Sequence, residues 1–464
     1  MSTSTGTGGR AAVPSSLSVL AVALVLLAAA VVALAHPTEG RPRRAAASPA
    51  GQLVTHTRLG CPDLSLGAAA RTSVSLGLAP GAGLRDGGQV RTGSTVPLAR
   101  GHLVSVPSAG GPGLAASGAA AAGVFGFRVD RASSRSLAVG WCVQPRARWW
   151  FAGAGAGLDH SSTLLLRNLD AGPAVVDLRV LGPDGDVATV ATHGIVVAAH
   201  SQRRLALAGI APQTDDLALE VHTERGRVAA AVSDSFRARA GAPWGHEWLV
   251  GTERRSRTLW LAGLPSTPGR RTVLVANPSP VQAVVDLAVS GRSGTFAPTG
   301  LSAVSVAPGA VASVDVSRSA PRGEPVALRL RSQVPIVAAV RSTQPGDHSV
   351  APAVTRLTGP AAAPLVRGSR ATVQLTAGTT GARVQVEAYD GRGRRVAGTT
   401  RSIGSGATVA WSPGHRAAYL VVRPLTGRGT VRGAVSYAGG GLSVVPLVEL
   451  PLRERRPQVE PGLR

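Results

Sequence analysis

The chain has 464 residues, and its 49 cationic side chains, all arginine, face only 25 acidic ones, for a net charge of +24. With 58 glycines and 33 prolines it is too rich in helix breakers for a mostly helical protein, and at 44% hydrophobic it is too apolar for a wholly disordered one. Two cysteines exclude a disulfide-dense scaffold and any zinc site of four thiolates.

Residues 1–12 read as a short cytoplasmic tail. Val13 to Ala35 follows as a nearly unbroken apolar run. A helix of about 20 such residues spans a bilayer core. Ala33-Leu34-Ala35 also fits the small-residue pattern of a signal-peptidase site, so the segment is a transmembrane anchor or a signal peptide. Its length exceeds that of an ordinary signal-peptide core and favours the anchor. Arg41, Arg43 and Arg44 follow it and only Arg10 precedes it, so the positive-inside bias points to a cytoplasmic bulk. An apolar export segment ahead of β-rich sequence points the other way, and an extracytoplasmic bulk is the expectation taken here. Residues 36–50 form a Pro/Arg/Ala linker.

Residues 51–145 are strand-like, as in Arg71 to Leu78 and Ser136 to Cys142, and make an N-terminal β-rich domain. Cys61 and Cys142 lie at its two ends. An even count beyond an export segment predicts one disulfide. Closing that loop removes about 4.5 kcal/mol of unfolded-state entropy in the chain-entropy model.

The middle of the chain repeats. Trp150-Phe151-Ala152-Gly153 returns as Trp260-Leu261-Ala262-Gly263, and Val175-Val176-Asp177-Leu178 returns unchanged as Val284-Val285-Asp286-Leu287. Thr163 to Asn168 returns as Thr272 to Asn277, and Leu217, Leu219 and Val221 as Val326, Leu328 and Leu330. Chance does not hold one register so long while keeping apolar residues two apart, the spacing that puts side chains on one face of a strand. Each copy reads as six or seven short strands between Gly, Pro, Asp or Asn turns. That predicts an all-β chain of tandem β-sandwich modules similar to immunoglobulin or fibronectin type III domains, at 149–240 and 259–350. A third copy fits 362–452, with Asp390-Gly391 as a hairpin turn, and 453–464 reads as a flexible tail.

The order of these words (apolar segment, Gly-Cys-Pro, Trp-Cys, Trp-Phe/Leu-Ala-Gly, then paired Leu-x-Leu-x-Asn and Val-Val-Asp-Leu strands) resembles a large actinobacterial family of membrane-anchored extracytoplasmic proteins known only as a domain of unknown function. The resemblance covers nearly the whole chain. It implies a cell-envelope role and brings no activity with it.

Residues suited to chemistry are scattered. The ten histidines form neither His-Glu-x-x-His nor a zinc pairing with cysteine. His246 and Glu247, adjacent on extended backbone, point to opposite faces, and the stretch Trp244 to Trp248 reads as a connector between repeats. Gly153 to Gly157 lacks the spacing and the following helix of a dinucleotide loop and reads as a flexible lead-in. Asp184-Gly185-Asp186 lacks the remaining oxygen ligands of a calcium loop. No catalytic, cofactor or metal residue is therefore assigned. Trp149, Trp150, Trp244 and Trp248 are the candidates for stacking on a sugar ring; core filling, with arginine laid over the rings, is the competing reading.

The expected function is a non-enzymatic extracytoplasmic scaffold or adhesion-like binding protein, its stacked modules holding loops away from the membrane. The alternative is a glycan- or anionic-polymer-binding accessory of wall-polymer assembly. The expected partners are the membrane, through the N-terminal helix, and an anionic wall polymer, a glycan or an envelope protein. No basic helix or RNA-binding aromatic set points to nucleic acid.

Overall fold

A computed structural model describes residues 52–454 except 66–69, 82–86, 107–112, 188 and 322. The expected tail, membrane segment and linker at 1–50, and residues 455–464, lie outside the described residues. Among those described, no helix is long and apolar enough to cross a membrane.

Alternation is what makes the strands. In Ala174–Gly182, Ala174, Val176, Leu178 and Val180 are buried, while Asp177 and Arg179 between them are half-buried. Ala283–Gly291 repeats the pattern, with Ala283, Val285, Leu287 and Val289 buried. Every ladder between residues 56 and 449 is antiparallel, and regular helix among the described residues is confined to three short 3₁₀ turns.

The strands form four modules, each of two sheets, an arrangement consistent with β-sandwiches. The first pairs an outer sheet (His56–Leu59, Leu114–Ser117, Gly88–Arg91, Thr95–Leu98) with an inner one (Leu103–Val106, Arg71–Leu78, Val124–Ser133, Ser136–Trp141). In the second, the inner sheet runs Gln202–Ala206, His160–Arg167, Ala229–Phe236, Gly245–Leu249. In the third, the long strand Ala327–Gln344 crosses from one sheet to the other. Its first half pairs with Ser256–Leu261 and Ala283–Gly291, its second half with Arg271–Ala276 and Asp347–Pro352. The fourth ends its inner sheet in Val431–Ala438 and Ser443–Pro446.

The last strand of each inner sheet is an edge, and an open edge invites further pairing. Here the four edges cover one another. Ser136–Trp141 packs on Gly245–Leu249, which packs on Asp347–Pro352, which packs on Ser443–Pro446, which packs back on Ser136–Trp141. The modules therefore close into a ring and do not extend as a stack. Apolar cores run across the junctions. Phe125, Leu137 and Trp141 of the first module share a cluster with Val386 and Tyr419 of the fourth, and Val350 of the third joins Trp150 and Leu164 of the second.

Two local readings change. Gly245–Leu249 is the fourth strand of the second module's inner sheet, paired with Ala229–Phe236, and not a connector. Gly153 to Gly157 is no flexible lead-in. Gly155 lies where a Cβ would stand 2.0 Å from His160 Nδ1, and Gly157 where one would stand 2.2 Å from Asp215 Oδ1. The glycines let the chain wrap closely around His160.

Candidate functional site

The polar side chains with the most chemistry in them gather at the centre of the ring. Asp234 continues the inward row of Ala230 and Val232, so its carboxylate enters the core. It is fully buried and accepts from both sides: His160 Nε2 lies 2.8 Å from Oδ1 and His348 Nε2 2.8 Å from Oδ2. Ser162 Oγ also donates to Oδ1. An ionised carboxylate only accepts, so both imidazoles carry their proton on Nε2. Burial opposes the charge on Asp234, yet the histidines' charge and hydrogen bonds outweigh it and hold the carboxyl well below its usual range. Burial pushes His348 down, towards the neutral ring. His348 belongs to the third module and Asp234 to the second, so this cluster is a clamp across their junction.

Glu247 and Asp347 continue it. Glu247 accepts from Ser443 Oγ at 2.8 Å and from the Val444 amide at 3.1 Å, binding the second module to the fourth. Asp347 Oδ2 accepts from the Leu137 amide at 3.1 Å and the Leu442 amide at 2.7 Å, binding the third module to the first and the fourth. Burial raises both carboxyls: Glu247 well above its usual range and Asp347 to about 8. At neutral pH Asp347 holds a proton. Trp248 Nε1 completes the circle, donating at 2.7 Å to Asp130 Oδ2 of the first module, with the Arg128 guanidinium 5.3 Å from its ring.

Chemically this is a lock. Ser162 bonds the Asp234 carboxylate and not an imidazole nitrogen, and a carboxyl held so far below its usual range is too weak a base to activate a hydroxyl. Asp234, His160 and His348 have no exposed side-chain surface through which a substrate could reach them. Among the described residues, no group of His, Cys, Asp or Glu is arranged to hold a metal.

The expected disulfide is present: Cys61 and Cys142 are bonded. The four candidate tryptophans do not converge on one surface. Trp149 and Trp150 lie in the core of the second module, and Trp248 packs at the first junction against Ala138 and Leu165. A buried ring offers no face to a sugar. Trp149 lies under Arg146, 5.6 Å from the ring, as core filling requires. Only Trp244 is open, 37% exposed, and Arg237 already lies 4.8 Å over its ring.

Sequence reading did not find Asp234, His160 or His348. One signal was present: an acidic residue sits where the alternation Ala230, Val232 calls for an apolar one. Its partners lie 74 and 114 residues away along the chain, and nothing local points to them.

Residues 105–414 match the model of a family described as a family of unknown function, DUF5719. The chain belongs to that family. The DUF5719 match takes in Asp234, both histidines, Glu247, Asp347 and three of the four inner strands, and stops before Ser443–Pro446. No curated protein matches the chain. Among solved structures, it has a faint likeness to an α-L-rhamnosidase of Streptomyces avermitilis complexed with L-rhamnose, at 10% identity over 85% of this chain and 56% of that one, TM-score 0.14. The full-length RrgB pilus protein of Streptococcus pneumoniae is similar at 8% identity over 64% of this chain and 63% of that one, TM-score 0.12. The chain thus spans less than two thirds of either protein. Neither informs the reading of DUF5719 at those scores.

Proposed function

We propose that this DUF5719 protein is a non-enzymatic binding scaffold of the extracytoplasmic envelope, held at the membrane by its N-terminal apolar segment and built of immunoglobulin- or fibronectin-like sandwiches. One observation carries the reading. The buried carboxylates and histidines Asp234, His160, His348, Glu247 and Asp347 are sealed at the ring centre and spent on holding modules together. A body that commits its reactive groups to rigidity keeps its outer faces for contact. With a net charge of +24, the chain attracts anionic partners within about a Debye length of its surface.

The test uses the purified full-length chain and isolated envelope polysaccharide. Co-sedimentation with the polymer, whose length is unchanged after incubation, is the expected result. Shortening of the polymer by the purified wild-type chain would overturn the non-enzymatic reading. A C-terminal reporter fusion active only outside the cytoplasm is expected, and a fusion active only inside it would sink the localisation.

A further inference from the structure

The repeat turn that ends the Leu-x-Leu-x-Asn strand carries different side chains in its two copies. In both, the asparagine ties the turn. Asn168 Oδ1 accepts from the Asp170 amide at 2.9 Å, and Asn277 Oδ1 accepts from the Ser279 amide at 3.0 Å. Nδ2 of each donates to carbonyls across the turn: Gly172 and Val197 for Asn168, and Val281, Val306 and Ala307 for Asn277. The third module thus presents a serine where the second presents Asp170. That carboxylate holds two guanidiniums at once. Arg58 of the first module reaches Oδ1 at 3.1 Å, and Arg227 of the second reaches Oδ2 at 3.0 Å and Oδ1 at 3.3 Å. Hydrogen bonding and charge from Arg227, then Arg58, hold the Asp170 carboxyl below its usual range.

One carboxylate between two arginines leaves a net positive charge, and both guanidiniums are about half exposed, at 52% and 53%. Both line a cleft of about 540 Å³, together with His56 and Gln144. A second cleft of about 300 Å³ adjoins it, sharing Gln144, Pro451 and Arg453 and adding Arg146. The carboxylate in that lining, Glu449, is turned away, accepting from the Thr358 hydroxyl and the Thr358 and Gly359 amides. Arg146 is itself paired with Glu253, so the excess positive charge of the surface is that of Arg58 and Arg227 around the single Asp170 carboxylate. Planar guanidinium forks match tetrahedral phosphate oxygens two at a time.

We propose that this double cleft, bounded by the first module, Arg227 of the second and the segment Val448 to Arg453, binds the phosphodiester groups of an anionic polyol-phosphate polymer. Concavity favours a strand over a bilayer, because a planar sheet of headgroups cannot follow the walls of a cleft. Two adjoining pockets suit successive phosphates of one chain, which raises avidity through the linked second contact. The inference rests on the binding-scaffold reading and assigns it a ligand class.

The experiment measures binding of the full-length chain to poly(glycerol phosphate) at fixed salt, with inorganic phosphate and phosphatidylglycerol vesicles as competitors. R58A/R227A is compared with R292A/R318A, which removes the same charge from two exposed arginines of the third module. At least about a ten-fold loss is expected for the first pair and less than about two-fold for the second. R58K/R227K keeps the charge and loses the fork, so an intermediate loss is expected. Equal loss in both alanine pairs, or no loss in either, overturns the site. So does competition by vesicles equal to that by polymer. If the wild-type chain binds this polymer but R58A/R227A binds equally well, the cleft is wrong and the scaffold stands. If the wild-type chain binds neither this polymer nor envelope polysaccharide, the scaffold reading fails too. Unchanged melting of each variant shows that the loss is not unfolding.

Discussion

Strands Ala174–Gly182 and Ala283–Gly291 occupy the same place in the second and third modules, and they match in sequence and in burial. Strands Gly245–Leu249 and Asp347–Pro352 also occupy the same place, the inner edge of each module, and share almost nothing. The difference lies in what each strand touches. A strand inside a sandwich meets its own copy's equivalents, so a repeated core demands a repeated word. An inner strand meets two other modules, and those neighbours differ: the first and third for Gly245–Leu249, the second and fourth for Asp347–Pro352. Repetition therefore specifies modules, and its breakdown specifies how they are joined.

The largest effect that tests this contrast is at Asp234. Its register partner in the third copy is Ser342, which is also buried, but Ser342 Oγ has no hydrogen-bond partner. D234A leaves two buried imidazole donors without their acceptor. We expect a loss of about 5 kcal/mol, the upper end for breaking a buried charged cluster. S342A at the matching position is expected to lie within about 0.5 kcal/mol of wild type, since it breaks no bond. Urea unfolding of both variants measures this. Similar losses for the two would mean that the junction is no more specific than the repeat.

Asp347 makes the same point through pH. Burial raises its carboxyl to about 8, against the pull of the Leu442 and Leu137 amides. An unfolded aspartate titrates near 3.9. Between those values the folded chain keeps a proton that the unfolded chain releases. This group's contribution is thus full below about pH 4 and is lost as pH rises towards 8, at about 1.4 kcal/mol per unit. From pH 5 to pH 7 the wild type is expected to lose about 3 kcal/mol relative to D347N, which cannot ionise. Glu247, also raised by burial, adds a slope of the same sign, and His348, lowered by burial, adds one of opposite sign below its unfolded value. Both remain in D347N, where Glu247 loses only the push of the Asp347 charge and keeps the burial that chiefly raises it, so the difference between the two proteins keeps the sign set by Asp347. Parallel pH profiles would place the proton elsewhere.

How much of this was legible follows from the same contrast. The alternation in Ala174–Gly182, the hairpin at Asp390-Gly391 and the Cys61–Cys142 bond all depend on local pattern or simple counting, and each appears in the structure. The tryptophans were half-legible. Trp150 and Trp260 recur because each fills a module, but Trp244 and Trp248, four residues apart, differ completely. One lies on the surface under Arg237 and the other is buried against the first module. The ring itself was not legible. It depends on contacts such as Tyr419 with Gly101 and Leu103 with Gly391, hundreds of residues apart and without a repeating spacing.

The repeated word Trp-Phe/Leu-Ala-Gly holds one last distinction, at its glycine. Nothing in a sandwich core requires glycine there, yet both copies have it, and both take positive φ: +99° at Gly153 and +87° at Gly263. A Cβ on Gly153 would stand 2.9 Å from Val350 Cγ1 of the third module, and one on Gly263 2.7 Å from Val444 Cγ1 of the fourth. Both backbones also receive the next module's side chain: Arg341 donates to the Gly153 carbonyl, and Gln374 accepts from the Gly263 amide. The glycine is thus a docking residue repeated because each of these modules receives a successor. G263A combines left-handed strain with crowding, and we expect a loss of about 2 kcal/mol. A Cβ there would also stand 2.8 Å from Ala434 Cβ, so adding V444A should relieve only the Val444 part of the crowding, and the cycle of G263A, V444A and the double variant should show a favourable coupling of about 0.5 kcal/mol. Additive losses would mean that the glycine serves only its own turn, and that the word belongs to the module and not to the junction.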